Sequence, residues 1–234
     1  MIIKTENVTK SFGAIRALRG VTLEVSNGEF LVIFGPNGAG KTTLIGIIST
    51  LLKPTGGNLY IDKKPVEGRE TELRRKIGVI SHQTFLYPDL TVHENLVFYA
   101  RLYGITNIHM RIMEIIERVE LRNWCDVRVR NLSRGLQQRT AIARALIHNP
   151  MILLLDEPFT GLDPHAIRRF NELLTELFSE GRTIVMTSHN LYIGIEICTR
   201  IAIIAGGKVV YDSPKGNISR PEFENIYFEC TGEK

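Results

Sequence analysis

Residues 34–43 read FGPNGAGKTT, and they follow directly on the apolar run EFLVI. Four residues separate Gly35 from Gly40, and Lys41 and Thr42 come immediately after. Glycines at the end of a strand let successive backbone N–H groups turn inward around an anion, and a helix that begins there adds positive partial charge. Lys41 can then reach β and γ phosphates, and Thr42 can offer its hydroxyl to Mg²⁺. A turn that only links a strand to a helix needs neither residue, so the stretch predicts a phosphate cradle in an α/β fold.

An acidic pair follows a second apolar run further along the chain. Asp156 and Glu157 come after MILLL, a leucine-rich run typical of a buried parallel strand. The first carboxylate can hold Mg²⁺ through water, and the next can polarise the water that attacks a γ-phosphate. Such a pair alone is equally typical of a helix start. Together with the cradle it predicts that Asp156 binds the metal and that Glu157 is the general base.

Two single polar residues stand at the ends of other strand-like runs. His189 closes RTIVMTSH and could donate to a γ-phosphate, although a histidine there is more often a satisfied turn residue. Gln83 follows KIGVISH and is either a plain surface amide or a group that senses magnesium and the attacking water.

The first part of the chain reads as β-structure around one helix. IIKTENVTKSF and ALRGVTLEVSNG are typical of an antiparallel layer, which leads into the buried strand EFLVIFG. KTTLIGIISTLL then has the pattern of a helix, closed by a proline and a glycine pair. NLYIDKKPV and KIGVISHQ are further short strands by the same criteria.

The middle of the chain changes to helical periodicity, in TVHENLVFYARLYG, NIHMRIMEIIERVEL and SRGLQQRTAIARALIH. MILLLDEP and RTIVMTSH then return to parallel-strand character around the helix PHAIRRFNELLTELFSEG, and IAIIAGGKVVYD predicts a hairpin at the sheet edge. We therefore expect an α/β core with a mixed or parallel sheet, flanking helices and an antiparallel β-layer. We place this core at 1–87 and 149–218, an inserted α-helical subdomain at 88–148 and a C-terminal tail at 219–234, all in one domain.

Composition narrows the class of protein. The 29 Lys+Arg against 25 Asp+Glu give +4, and the basic residues are scattered, which favours a solvated surface over a patch for nucleic acid or lipid. Cys125, Cys198 and Cys230 form no CxxC pair, so a reducing cytosol fits better than a disulfide framework or metal knuckle. MIIKTENVTKSF lacks an apolar signal core, and no run approaches the ~18 apolar residues of a membrane span. Any membrane-spanning part is expected in a separate chain.

The ordered set FGPNGAGKTT, Gln83, LSRGLQQR, MILLLDEP, TGLD and His189 resembles the nucleotide-binding subunit of ATP-binding cassette (ABC) transporters, from about residue 2 to 212. The resemblance implies a P-loop ATPase that hydrolyses ATP with Mg²⁺. It also implies that Gln83 is the catalytic and metal-sensing glutamine of the Q-loop, that Asp163 belongs to the D-loop, and that His189 is the switch histidine. Phe12, in SFGAIRAL, matches the aromatic residue that stacks on adenine. The remaining implied ATP-binding residues are Gly35, Pro36, Asn37, Gly38, Ala39, Gly40, Lys41, Thr42 and Thr43.

The segment NLSRGLQQRTAIARAL, residues 131–146, stands in the place of the ABC signature, but Arg134 replaces a glycine and Leu136 replaces a glutamine. The resemblance implies a head-to-tail dimer in which Ser133, Arg134, Gly135 and Leu136 of one subunit close over ATP held by the other. A helix that begins at Ser133 has N–H groups and a hydroxyl that suit a γ-phosphate. We expect Leu136 to lose a hydrogen bond to ribose. Arg134 either faces solvent or the membrane partner, or adds a cationic contact to the nucleotide or across the dimer.

The resemblance also implies two kinds of partner: a second ATP-binding subunit, identical or different, and separate integral membrane subunits. The groove near Gln83, Phe85, Leu86 and Tyr87 would receive a coupling helix of a membrane subunit, or these aromatics simply pack between lobes. EFENIYFECTG looks like subunits of ABC-2 exporters, and LSRGLQQR with DEPFTGLDP is similar to the haem-exporter ATPase of cytochrome c maturation. We thus expect an export ATPase, peripheral on the cytoplasmic face of the membrane, with an undefined cargo.

Two other classes compete with this interpretation. A soluble ABC ATPase that acts on nucleic acid or the ribosome generally carries a long coiled-coil insertion or two cassettes, and 234 residues hold neither. No nucleic-acid partner is therefore expected. A regulatory subunit that binds ATP without hydrolysing it is disfavoured, because Glu157, Gln83 and His189 are all present.

Overall fold

The secondary structure alternates strands and helices along most of the chain. The computed structural model describes residues 1–81 and 83–232, and this part contains ten strands and seven α-helices. In chain order the strands are β1 (Ile3–Phe12), β2 (Ile15–Val25), β3 (Phe30–Phe34), β4 (Gly56–Ile61), β5 (Lys64–Pro65), β6 (Ile77–Ile80), β7 (Ile152–Asp156), β8 (Thr183–Ser188), β9 (Arg200–Ala205) and β10 (Lys208–Pro214). The helices are α1 (Lys41–Ile48), α2 (Glu70–Arg74), α3 (Val92–Leu102), α4 (Ile108–Arg118), α5 (Arg134–Leu146), α6 (Pro164–Ser179) and α7 (Arg220–Thr231). The predicted α/β class is confirmed.

The larger sheet holds six strands in the order β10-β9-β3-β8-β7-β6, and every pair from β9 to β6 is parallel. All residues of β3, β7 and β8 are buried, as is typical of a parallel sheet covered on both faces. Parallel strands place their carboxyl ends at one edge of the sheet, where ligands of open α/β sheets bind. The predicted cradle, acidic pair and histidine each follow one of these three strands, so the topology brings them together.

The smaller sheet is the predicted antiparallel layer, with the order β2-β1-β4-β5. The alternation of side chains along β3 shows how the layers are joined. Leu31 and Ile33 belong to an apolar cluster that also contains the buried residues of the small sheet and of α1. Phe30, Val32 and Phe34 point to the opposite face and join the cluster formed with α3 to α7. One sheet is thus covered by a β-layer on one side and by helices on the other.

The helical segment between β6 and β7 contains α3, α4 and α5. Helix α3 begins with a capping box, in which Thr91 Oγ1 accepts from Glu94 N and a Glu94 carboxylate oxygen accepts from Thr91 N at 2.8 Å. Ion pairs tie this segment to α6: Arg118 lies 2.9 Å from Glu176, and Glu120 contacts both Arg139 and Arg169. Helix α5, which contains Arg139, is therefore attached to helix α6, which contains Arg169, through Glu120.

The structure departs from the sequence prediction at three helices. Helix α1 ends at Ile48 instead of continuing through KTTLIGIISTLL, and Thr50 adopts a left-handed φ of 64°. Helix α2 was not predicted, since its five residues are too short to show a period. The segment interpreted as a tail at 219–234 contains α7, whose Phe223 is fully buried, while residues 233 and 234 lie outside the described part.

His148 gives the fold a pH-sensitive point near the end of α5. Its ring stacks on Tyr103 at 3.9 Å between centroids, and its Nε2–H donates to the Ile77 carbonyl at 3.1 Å. Among the described residues Nδ1 is buried without a hydrogen-bond partner. Burial lowers the pKa of His148 to about 4, and the positive charges of Arg144 and Arg111 act in the same direction.

We expect this histidine to make the protein less stable in mild acid. Its pKa in the fold is below its unfolded value of 6.5, so the unfolded chain binds more protons as the pH falls through that interval. From pH 8 to pH 5 the free energy of unfolding should fall by about 2 kcal/mol from this group. In His148→Gln, the fall in the free energy of unfolding from pH 8 to pH 5, measured by urea unfolding, should be smaller by this amount. His109 is exposed, and His109→Gln should leave the fall unchanged. An unaltered pH dependence in His148→Gln would contradict the assignment.

Candidate nucleotide-binding site

The loop between β3 and α1 passes so close to neighbouring backbone that only glycine fits at two positions. A Cβ on Gly35, which has a φ of 156°, would lie 2.1 Å from the Ile204 carbonyl oxygen. A Cβ on Gly40, at a φ of 105°, would lie 2.7 Å from the Ala17 carbonyl oxygen. The glycine spacing of the motif therefore follows from close packing against β9 and β2.

Lys41 is the first residue of α1, and its side chain points into the loop, where it is only 6% exposed. Its ammonium donates to the carbonyl oxygens of Gly35 at 2.6 Å and Pro36 at 3.1 Å. The same nitrogen lies 3.4 Å from Glu157 Oε1. The structure thus places the predicted phosphate ligand and the predicted base in direct contact.

Hydroxyl and carboxylate oxygens converge beside Lys41. Thr42 Oγ1 donates to Asp156 Oδ1 at 3.1 Å, and Thr187 Oγ1 donates to the same oxygen at 2.8 Å. Thr187 also accepts from the backbone N–H of Glu157 at 3.1 Å. Hard oxygen donors of this kind are the ligands that Mg²⁺ prefers. Two of the residues predicted for the metal, Thr42 and Asp156, are therefore together, and the donor set fits the ion.

Glu157 and His189 form a pair at the mouth of the site. His189 Nδ1 lies 2.7 Å from Glu157 Oε2, and the His189 backbone N–H donates to the same oxygen at 3.3 Å. Glu157 itself has a left-handed φ of 50°, an uncommon conformation for a residue with a long side chain. Its two carboxylate oxygens are consequently divided between the lysine and the histidine.

One cleft collects most of the predicted residues. Its lining consists of Phe12, Ala17, Asn37, Gly38, Ala39, Gly40, Lys41, Thr42, Thr43, Asp156, Glu157, Thr160 and His189. Phe12 lies at the rim with 47% of its surface exposed. The lining also contains Ala17 and Thr160, and Thr187 lies behind it; none of the three was predicted from the sequence. Only Thr187 carried a signal, since it lies on the β8 strand two residues before His189.

Gln83 and the signature residues lie elsewhere. Gln83 is exposed, and among the described residues it is not part of the cleft lining; its carbonyl accepts from Ser81 Oγ at 2.9 Å. Ser133 is the N-cap of α5, where its Oγ accepts from Leu136 N at 3.4 Å. A Cβ on Gly135 would have no neighbour within 4 Å, so approach to its backbone is open.

The two altered positions of the signature behave differently. Leu136 is half-buried and packs against the helical core. Arg134 is exposed, and its guanidinium lies 3.9 Å from the point where a Cβ of Gly161 would stand. Asp163, two residues further on, caps α6 by accepting from Ala166 N at 2.9 Å, which lowers the pKa of its carboxyl.

The aromatic surface after Gln83 is partly packed and partly open. Leu86 lies against the helical core, whereas Phe85 and Tyr87 are 39% and 46% exposed. Tyr87 contacts the ring of Phe98, itself 39% exposed, at 4.9 Å between centroids. Beneath them the buried Arg144 guanidinium lies 5.4 Å from the Phe85 ring and donates to the Val79 carbonyl at 2.6 Å. Leu86 thus packs into the helical core, while the aromatic rings of Phe85, Tyr87 and Phe98 remain available on the surface.

The described residues contain no helix that is both long and apolar enough to span a bilayer.

A glycine loop that leads into a helix, a lysine at the start of that helix, and a buried aspartate followed by a glutamate at the end of β7 define a P-loop nucleotide hydrolase. The family profile described as ABC transporter matches residues 18–160, more than half of the chain. A shorter match, described as an AAA domain and putative AbiEii toxin, covers 125–196. The chain belongs to the ABC transporter family, as an ATP-binding and ATP-hydrolysing subunit, which confirms the predicted class and enzyme activity.

Individual relatives and solved structures agree. The chain is 38% identical to the ABC transporter ATP-binding protein NatA of Bacillus subtilis over 84% of its own length and 81% of that protein. It is 35% identical to the Nod factor export ATP-binding protein I of Cupriavidus pinatubonensis over 89% of its length, but spans 65% of that longer protein. A dimeric bacterial ABC transporter cassette superposes with a TM-score of 0.86 at 34% identity, covering 93% of this chain and 100% of the other. A related dimer, in a post-hydrolysis state with ADP and Pi, gives 0.85 at 34% identity over the same shares of the two chains.

Proposed function

We propose that this ATPase energises export through separate membrane subunits, by ATP-driven closing and opening of a dimer on the cytoplasmic face of the membrane. The observation that carries the proposal is the contact set around Glu157, because one carboxylate touches both the phosphate-loop lysine and His189. Both residues are groups that act on a terminal phosphate, so the arrangement suits hydrolysis and not merely nucleotide storage.

Each group in the cleft has a part in that hydrolysis. Lys41 and the loop amides hold the β and γ phosphates, and Phe12 stacks on adenine. Thr42 and Asp156, joined by Gln83 once it has approached, would hold Mg²⁺, and the ion would supply positive charge to the phosphate oxygens. Glu157 accepts a proton from the attacking water. His189 donates to Glu157 and thereby fixes the direction of the carboxylate. Gln83 must approach from its exposed position, which a lobe movement on closure would supply.

A second copy or a similar subunit completes the site. Ser133, Arg134, Gly135 and Leu136 lie outside the cleft lining of their own chain, and the open approach at Gly135 lets backbone N–H groups at the start of α5 donate to a phosphate oxygen of another subunit's nucleotide. A two-fold dimer would then contain two shared sites with ATP between the subunits. The dimeric ABC cassettes that superpose on this chain support the arrangement. Loss of the γ-phosphate would weaken the interface and produce the movement passed to the membrane subunits.

The open aromatic rings are the proposed contact with those membrane subunits. Phe85, Tyr87 and Phe98 form an exposed cluster next to Gln83, so an apolar helix end that docks there would also act on the Q-loop. Proteins similar to this chain include a Nod factor export ATP-binding protein, NatA and a linearmycin resistance ATP-binding protein. They support export without defining one cargo. Haem as the cargo stays a prediction from the signature and D-loop residues.

The membrane contact can be tested by sedimentation with membranes from the source cells. The chain should pellet with washed membranes after nuclease treatment, and Tyr87→Ala with Phe98→Ala should release it while ATPase activity of the purified chain is retained. Trp124→Ala removes a ring of similar exposure, 40%, and should leave the association intact. Release by nuclease, or binding that falls steeply with salt, would instead favour a nucleic-acid partner.

Leu136→Gln tests the altered signature. Glutamine restores an amide that can hydrogen-bond to ribose in the partner's site, so the KM for ATP should fall roughly two- to tenfold, the worth of one net hydrogen bond. Leu136→Met keeps the apolar contact with the helical core and should leave KM unchanged. Steady-state ATPase kinetics measure both. An unchanged KM in Leu136→Gln would mean that this position does not approach ribose.

A further inference from the structure

Beside Phe12, which lines the cleft, lies a lysine that the proposed chemistry does not use. Lys10 and Phe12 stand two residues apart on β1 and share one face of the strand. The Lys10 ammonium lies 5.1 Å from the centroid of the Phe12 ring. It also donates to the Lys53 carbonyl oxygen at 2.7 Å, which holds the amine in place.

The surrounding backbone fixes this geometry further. Ser11 N donates to Thr55 Oγ1 at 3.1 Å, and Thr55 N donates to the Thr9 carbonyl at 2.8 Å. The end of β1 is therefore attached to the segment after α1 on both sides of Lys10. This attachment reduces the freedom of the lysine, so less conformational entropy is lost when its ammonium stays over the ring.

Lys10 differs in its charge partners from Lys4, the other lysine of β1. Within residues 1–81 and 83–232 no acidic oxygen lies within ion-pair distance of its ammonium. Lys4, on the same strand, contacts Glu6 at 2.8 Å and Glu24 at 3.1 Å. Lys10 is thus stabilised by one carbonyl and by the negative face of an aromatic ring, which is the contact that distinguishes it from its neighbour.

We propose that Lys10 is a positioning residue for the nucleotide base, selecting purines by holding the Phe12 ring from one face. The proposal rests on the adenine-stacking role of Phe12 given above. An ammonium on one face of the Phe12 ring occupies that face and draws electron density towards itself, so a base in the cleft that Phe12 lines would stack on the opposite face. Electron-rich purines gain most from a ring polarised in this way, and they also cover more of it than pyrimidines.

The expected effect is modest and specific to the base. Exposed cation–π contacts correspond to a change of roughly two- to fivefold in an equilibrium constant. Lys10→Met keeps the length of the side chain and removes its charge, so the Kd for ATP with Mg²⁺ should rise by that factor. The Kd for UTP should rise less, and the Kd for inorganic tripolyphosphate, which has no base, should stay unchanged. Lys10→Arg should restore ATP binding, because a guanidinium also stacks on an aromatic face.

Lys53→Met is the matched control. It removes one positive charge from the residue whose carbonyl, not side chain, holds Lys10, and it should alter neither ATP nor tripolyphosphate binding. Isothermal titration calorimetry on the whole chain measures all these constants, and thermal unfolding verifies that each variant is folded.

A double-mutant cycle with Phe12→Leu decides the mechanism. Phe12→Leu should weaken ATP binding, and in that background Lys10→Met should add nothing. An equal loss for ATP and tripolyphosphate in Lys10→Met, or the same loss with and without the Phe12 ring, would overturn the proposal in favour of general attraction of phosphate. If the unaltered chain bound tripolyphosphate but not ATP, the adenine site at Phe12 would be wrong. If it bound neither ligand, the nucleotide site itself would be wrong, and both results differ from a failure of Lys10 alone.

Discussion

Glu157→Gln is expected to lower ATP turnover roughly 10²–10⁴-fold while ATP binding is retained. Glutamine has nearly the same shape as glutamate, so the cleft and the lysine that lines it should keep their geometry. An amide cannot accept the proton of the attacking water, and that step would lose its base. The contact with His189 Nδ1, 2.7 Å away, can persist through the amide oxygen. The variant therefore separates chemistry from binding.

Two measurements check this result. Phosphate release at saturating ATP and Mg²⁺ gives the turnover, and size-exclusion chromatography with ATP should show an accumulated dimer, because the γ-phosphate that joins the subunits is no longer removed. Glu172→Gln is the control, since it changes an exposed glutamate that pairs with Arg168 on the same helix. Hydrolysis at the unaltered rate in Glu157→Gln would remove Glu157 from the role of base.

Motif chemistry and strand order made most of the site predictable. Lys41, Asp156 and His189 each follow a buried apolar run, and parallel strands leave no other place for their ends than one edge of the sheet. Helix α4 of the helical segment and helix α6 after β7 were predictable because they have clear apolar faces over 11 and 16 residues. The local sequence was sufficient to predict an element or a site residue wherever a long apolar periodicity or a strict motif was present.

The remaining features depend on contacts that sequence spacing does not encode. Ala17 reaches the cleft because β2 passes beside the phosphate loop, and Thr187 meets Asp156 because their strands pair in register. The sequence left Gln83 open between a surface amide and a group that senses magnesium, since its motif predicts a role and not a position; the structure has it exposed. Arg134 and Leu136 differ in burial although both interrupt the same motif, because only one of them faces the helical core.

Helix α7 is the largest feature that the sequence analysis missed, and it contacts two segments of the site. The ring centroids of Phe223 and Phe34 lie 4.7 Å apart, and Phe34 is the last residue before the phosphate loop. Arg220 pairs with Glu196, on the segment that follows His189. On the same segment a hydrogen bond to Glu224 raises the pKa of the Tyr192 hydroxyl. The helix was not recognised because only Phe223 and Tyr227 are buried among its twelve residues, which gives too little apolar periodicity.

Phe223→Ala should lower the free energy of unfolding by about 3–5 kcal/mol, since it removes a fully buried ring and leaves a cavity against β3. Phe228→Ala removes a ring of the same size from the same helix, but that ring is 43% exposed, so a loss within about 0.5 kcal/mol is expected. Urea unfolding of the two variants measures the difference directly. ATP binds only the folded state, so adding ATP should recover part of the stability that Phe223→Ala loses, by mass action. Equal stability of the two variants would show that α7 is not part of the core, and the contact with Phe34 would then have no role in holding the phosphate loop.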